Sequence, residues 1–245
     1  MFLFYRIFFS IARAKIDRFL PILIIYSGIY DKRLSLFRIL ALIFFQKEDA
    51  MNATFLKVIA LCSMLIDHIG TVFFPQVLIF SILGRLAFPI FCFFIAQGFA
   101  HTSHLKRYGL RLLVFAFLSE IPFDVALKGS WFYWKSQNVF FTLFLGLCAL
   151  WFLEYTREKF PFLGLIGVAA ISILAQILHT DYGWYGVILI VFFYICRDNK
   201  LMLWIVFLLL NTGFHVWAHS AAQVYAAFAL IPLSFYNGKR GAHPI

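Results

Sequence analysis

Charge is scarce in this chain: Asp, Glu, Lys and Arg make up 13% of its 245 residues, and only 11 of those are acidic. A soluble domain carries about twice that fraction, so a soluble fold is excluded at the outset. Cysteine is also sparse. Cys62, Cys92, Cys148 and Cys196 sit far apart, each inside an apolar run, with no CxxC or zinc-ligand spacing. That excludes a disulfide framework and leaves packing as their role. Period-two alternation is missing, which rules out an outer-membrane-type barrel. There is no internal repeat and no low-complexity linker. No small-residue cleavage site follows a single apolar core, so the start does not read as a signal peptide.

Apolar residues are abundant: 63% of the chain is hydrophobic, 20% is aromatic, and 33 residues are Phe. Long runs of this kind define an all-α, polytopic helical membrane protein whose first partner is the lipid bilayer. From Met51 onward the runs predict about eight transmembrane helices in one bundle, at 54–74, 78–99, 110–127, 138–153, 161–179, 184–196, 201–217 and 221–236. The sixth is the shortest. Alternate gaps hold Lys106 and Arg107, then Arg157 and Lys159, then Arg197 and Lys200, then Lys239 and Arg240; the opposite gaps hold only Lys128 and Lys135. This asymmetry predicts cytoplasmic termini for the membrane core. It also explains the net charge of +10 without a nucleic-acid partner.

Residues 1–50 differ. Their apolar runs at 2–9, 19–30 and 34–45 are each too short to span, and Arg6, Arg13, Lys15, Arg18, Lys32, Arg33 and Arg38 interrupt them. They read either as an interfacial amphipathic segment or as an extension upstream of a true start at Met51. The domain division is therefore 1–50 and 51–245.

The informative residues are the ionisable ones inside the spans, where charge is costly and marks function by default. The first span, TFLKVIALCSMLIDHIGTVFFP, contains Lys57, Asp67 and His68. Lys57 and His68 are eleven residues apart, within ~20° of whole turns, so they share a helix face about 16 Å apart along the axis. Arg85 lies in the second span, Glu120 and Asp124 in the third. Gln137 and Asn138 open the fourth, and Asp181 follows the fifth. The charge-derived orientation puts these groups at a similar, outer depth, and convergence on one cavity explains that better than scattered tolerance. Pro89, Pro122 and Gly98 would kink or loosen their helices and free backbone groups that need polar partners in lipid.

His68 has the ring chemistry of a general base; the plainer reading is a buried histidine bonded to a neighbouring helix. Asp67 points ~100° away from it, so Asp67 pairs with Arg85 or another helix supplies the orienting carboxylate. Arg85 reads equally as a structural ion pair. Glu120 and Asp124, four residues apart, form a like-charged pair on one face. His101, His104, Lys106, Arg107 and Arg111 form a basic patch that suits anionic lipid or the phosphates of a nucleotide-bearing cofactor. His215 and His219 have i,i+4 spacing without the intervening glutamate of an HExxH site. No metal site is expected.

The stretches LKVIALCSMLIDHIG, GRLAFPIFCFFIAQGFAHT, SEIPF, QNVFFTL, DYGWYGV and NGKRG resemble, in order, the TraX family of membrane proteins, whose founding role is N-terminal acetylation of conjugative pilin. TraX-like proteins are similar in turn to a superfamily of multi-span acyltransferases with a basic residue, ten intervening residues and a histidine in the first span. The resemblance implies acetyl-CoA as acyl donor, His68 as catalytic base or acetyl relay, Lys57 as a contact for the donor and Arg85 as a supporting residue. It further implies a bacterial inner membrane and an acceptor that is a surface glycan or a pilin-like protein. The residue reading adds Asp67, Glu120 and Asp124 as candidate catalytic groups, Lys106, Arg107 and Arg111 as candidate donor contacts, and Gln137, Asn138 and Asp181 as candidate acceptor contacts. A proton-coupled transporter using the same polar residues is the alternative.

Overall fold

The computed structural model describes residues 51–218 and 220–239. The expected N-terminal extension, His219 and residues 240–245 lie outside them.

The chain enters through Asn52, whose side-chain oxygen accepts the Phe55 N–H at 2.9 Å and caps α1 (Ala53–Phe73). A short turn reverses it into α2 (Leu78–Gly84) and α3 (Ala87–His101), which together lie antiparallel to α1. The sequence predicted one helix over 78–99. The structure breaks it at Arg85 and Leu86, and Pro89 supplies the reason. Proline has no N–H to donate to the carbonyl four residues back, which is that of Arg85, and its ring would clash there. At the break the Leu83 carbonyl is taken by the Ser63 hydroxyl of α1, which satisfies a backbone acceptor that lipid cannot.

Next come α4 (Leu105–Lys128), α5 (Val139–Thr156), α6 (Pro161–Ile177), α7 (Gly183–Ile195) and α8 (Lys200–Ala218). A 3-10 helix (Ala221–Ala229) and α9 (Leu230–Ser234) close the bundle. No strand occurs among the described residues, and the all-α, polytopic membrane class read from composition stands. Four helical stretches are long and apolar enough to cross a membrane: Ala53–Phe73, Leu78–His101, Val139–Thr156 and Lys200–Ala218. The helices at Pro161–Ile177 and Gly183–Ile195 are shorter apolar segments. The shortest expected span, α7, sits at the centre, with Tyr185, Val187, Leu189 and Ile190 fully buried. A helix apolar on every side belongs there.

The last expected span, 221–236, is mostly 3-10. Asn211 on α8 explains part of this. Its amide donates to the Gln223 backbone carbonyl at 3.1 Å and accepts from Gln223 Nε2 at 2.9 Å. The Tyr185 hydroxyl adds a third bond to Asn211 at 3.3 Å. With its carbonyl engaged sideways, Gln223 starts a tighter turn instead of an α-helical one. The core ends where it began: the Ala53 N–H donates to the Lys239 carbonyl at 2.9 Å, and Asn237 N–H to the Met51 carbonyl at 3.1 Å.

Candidate functional site

The break in the second span is the centre of the polar architecture. Gly84 immediately precedes it and lies against Asp67; a Cβ at Gly84 would run into the Asp67 Cβ, Cγ and Oδ1. Glycine there lets α2 approach α1 closely enough to set the Asp67 carboxylate beside the start of the break. Arg85 interacts electrostatically with Asp67, Asp181 and Tyr182, and its Nη1 donates to the Tyr182 hydroxyl at 3.0 Å. Among the described residues Asp67 and Arg85 form no direct ion pair, so they act through space. The Arg85 Nε is buried and makes no hydrogen bond.

Tyr182 reaches Arg85 because of the turn between α6 and α7. His179 and Tyr182 both take left-handed backbone conformations, at φ 52° and 61°, followed by Gly183 at φ 45°. Non-glycine residues adopt that conformation at a cost of about 1–2 kcal/mol each, and several contacts offset it. Gln137 N–H donates to the His179 carbonyl at 3.0 Å, and Asp181 N–H to the Gln137 carbonyl at 2.9 Å. The Thr142 hydroxyl donates to the Asp181 carbonyl. The Tyr182 ring lies flat on Phe88, with centroids 3.7 Å apart and planes within 1°. The sequence reading missed Tyr182; its motif, DYGWYGV, entered as a stretch of family resemblance and contributed Asp181 alone to the candidate site.

Asp181 is open to solvent yet ringed by protein atoms, and that crowding pushes its carboxyl from the ordinary 3.8 up to about 6. Arg85 pulls the other way, and Asp67 adds to the rise. Asp181 therefore stays mostly ionised at neutrality and takes up its proton a little below it.

Glu120 and Asp124 occupy a neighbouring place with different work. Glu120 Oε2 accepts the Asn138 backbone N–H at 3.1 Å and the Asn138 Nδ2 at 2.5 Å. Asn138 Nδ2 also reaches the Ala116 carbonyl at 2.7 Å, while its Oδ1 caps α5 through the Phe140 N–H at 2.9 Å. Asp124 is fully buried, and its Oδ2 accepts the Tyr133 N–H at 2.7 Å. These carboxylates hold the 129–138 loop and the start of α5 against α4. The ionisable groups thus form two clusters, Asp67–Arg85–Asp181–Tyr182 and Glu120–Asp124–Asn138. The backbone pairing of Gln137 with residues 179–181 joins them.

His68, half-buried on α1, has Asp67 as its electrostatic neighbour and no hydrogen-bond partner among the described residues. Lys57 is half-buried toward the other end of α1, with its Nζ 5.4 Å from the centre of the Phe94 ring on α3. His101, His104, Lys106, Arg107 and Arg111 are exposed at the far end, around the α3–α4 turn. They are not brought to the polar clusters. The His215 ring contacts the Ser220 carbonyl at 2.8 Å, and no group of three metal-binding side chains gathers among the described residues.

A family model described as TraX protein matches residues 52–244. The chain belongs to the TraX family. Among curated proteins it is 30% identical over 210 residues to a Dichelobacter nodosus protein named probable fimbrial assembly protein FimC, serogroup H1. That match covers 76% of this chain and 84% of the relative. It is also 28% identical over 147 residues to an uncharacterized protein of Rickettsia prowazekii (strain Madrid E). There the match covers 59% of this chain, which spans a little over half, 56%, of that relative. No solved structure matches. The TraX match begins within two residues of Met51 and takes in every residue of both polar clusters.

Proposed function

We propose that this TraX protein is a membrane-embedded acetyltransferase that moves an acetyl group from acetyl-CoA to an amine or hydroxyl of a surface polymer or pilin-like protein. The observation that carries the reading is His68. It is a half-buried histidine, without a hydrogen-bond partner among the described residues, next to an Asp67–Arg85–Tyr182 cluster at a break in a spanning helix. A ring nitrogen left available beside a charged cluster is what a general base needs. Acetyl-CoA supplies an activated acetyl thioester. The residues suit an anionic donor: exposed Lys106 and Arg107 at one end, and half-buried Lys57 on the helix line toward His68. In this reading His68 takes the proton from the acceptor N–H or O–H as the acyl bond forms, the thioester C–S bond breaks, and His68 returns the proton to the departing CoA thiolate. Arg85, held by Tyr182, stabilises the negative charge that develops on the carbonyl oxygen. The fimbrial name of the Dichelobacter relative supports an appendage subunit as acceptor.

A second reading, a proton-coupled permease, draws on the same break, since transporters bind solutes at interrupted helices. Transfer of radiolabelled acetyl from acetyl-CoA in membranes separates the two. We expect wild-type membranes to label a surface polymer or protein and His68→Ala membranes, with the protein folded and present, to fail. Equal labelling in both removes His68 as the base. No labelling in either, with candidate acceptors supplied, together with substrate-driven proton flux, favours the permease.

A further inference from the structure

The loop between α4 and α5 reads GSWFYWKSQ and turns large rings outward. Trp131 is 76% exposed, Trp134 78% and Phe132 64%. Loops that expose such rings in water usually collapse onto the nearest apolar surface. This one is pinned. Tyr133 N–H is held by Asp124, the Asn138 N–H and amide by Glu120, and the Trp134 carbonyl by the Gln137 side chain at 3.2 Å. Burying two carboxylates is costly unless they are hydrogen-bonded; here their three bonds go to Tyr133 and to Asn138 at the start of α5 and keep the loop in one shape, while Glu120 Oε1 and Asp124 Oδ1 are buried without a partner among the described residues.

We propose that the loop is a membrane anchor, with Trp131, Phe132 and Trp134 seated in the headgroup region of the bilayer. Three observations favour lipid over a protein partner. First, α4 ends at Lys128, one residue past the end of the apolar run expected at 110–127, and α5, which is long and apolar enough to cross a membrane, begins at Val139; the loop lies between these two ends. Second, the exposed side of α4 carries Phe117, Leu118, Ile121 and Val125, and after exposed Lys128 the loop resumes that apolar surface with its rings. Third, two lysines flank the rings, and Lys128 Nζ lies 5.7 Å over the Tyr133 ring. Tryptophan and tyrosine beside snorkelling lysines is the composition of the membrane–water boundary and complements anionic headgroups. A matching aromatic pair, Trp151 stacked on Tyr155 at 5.6 Å and both exposed, lies at the far end of α5, about 24 Å along the helix from Val139. Through Gln137 the anchored loop fixes the depth of the 179–182 turn, and so of Asp181 and Tyr182. The proposal does not depend on the acetyl-transfer reading.

The test uses the full chain reconstituted in vesicles of phosphatidylethanolamine and phosphatidylglycerol, with lipids brominated either just below the headgroup or at the chain end. Wild type is compared with the Trp131→Phe, Trp134→Phe double variant, whose conservative changes keep the fold. Two of the six tryptophans are thereby removed, and the difference between the two emission spectra isolates them. We expect that difference to be blue-shifted, quenched by shallow bromine more than by deep bromine, and insensitive to iodide. A red-shifted difference quenched by iodide and untouched by either brominated lipid overturns the proposal. If iodide quenching falls as the protein-to-lipid ratio rises, or on adding a pilin-like protein, the loop is a protein-docking surface and the lipid anchor is likewise overturned.

Discussion

Asn138 offers a sharp test of what the outer polar residues do. Replacing it with alanine removes three bonds and leaves the backbone intact. The α5 cap is lost, at about 1 kcal/mol. Glu120 Oε2 loses its 2.5 Å donor and keeps only the backbone N–H of residue 138. Depriving a buried carboxylate of a partner costs about 1.5–3 kcal/mol. Together these give about 2.5–4 kcal/mol, which for a chain of this size is a drop in melting temperature of about 5–16 °C. The assay is intrinsic-fluorescence melting of the purified protein in one detergent. Asn138→Asp keeps a capping oxygen but sets a second carboxylate against Glu120, so it melts low at neutral pH and recovers as the pH falls. If Asn138→Ala melts within about 2 °C of wild type, less than 1 kcal/mol, while acetyl labelling disappears, the anchoring argument is refuted. The amide would then belong to the reaction, as a donor to substrate.

Three further outcomes follow from the site. Gly84→Ala drives a methyl into Asp67 and destabilises by about 1–3 kcal/mol, whereas Gly213→Ala, with nothing within 4 Å, stabilises by roughly 0.5–1 kcal/mol; equal melting of the two variants counts against the close approach of α1 and α2. Tyr182→Phe keeps the stack on Phe88 and removes the bond to Arg85, so stability falls by about 1.5–3 kcal/mol while an accompanying loss of acetyl labelling marks Arg85 as the affected group; wild-type melting and labelling would show that the bond contributes nothing. Asp181 has a folded-state pKa above its ordinary 3.8, at about 6, so the folded protein binds the extra proton between those values and loses stability as pH rises through that window. Asp181→Asn flattens the slope of melting temperature between pH 4 and 6 if this is right, and leaves it unchanged if not.

The helices were legible because lipid enforces a simple rule of length and apolarity, and most of their ends fall within a few residues of the expected ones; of the eight expected spans, four correspond to stretches long and apolar enough to cross a membrane. Even the kink had a written signal, since Pro89 stands four residues after Arg85; what periodicity could not give was that Ser63 on α1 would bond the Leu83 carbonyl beside the break. Tyr182 was hidden for a different reason. An aromatic in an aromatic-rich chain carries no contrast, and its place beside Arg85 depends on a left-handed turn stabilised by Gln137, forty-five residues earlier. Glu120 and Asp124 were visible as costly residues, but sequence alone does not tell whether such a carboxylate faces a substrate or a backbone N–H. Here each gives one oxygen to the backbone. The break-up of the final span was the least legible of all, because the competing bond comes from Asn211 on another helix.

The pairing of the Ala53 N–H with the Lys239 carbonyl has a consequence for biosynthesis. The helix that carries Lys57, Asp67 and His68 is the first of the described elements to leave the ribosome, and one acceptor for its opening turn is among the last. During translation that turn must stay solvated or borrow a partner, and it acquires its own only after the closing segment is released. A stop codon after Ser234 would spare every spanning helix and still leave the first one unfinished. Maturation of the His68 helix is thereby tied to release of the 237–239 segment, which supplies the partners of Met51 and Ala53.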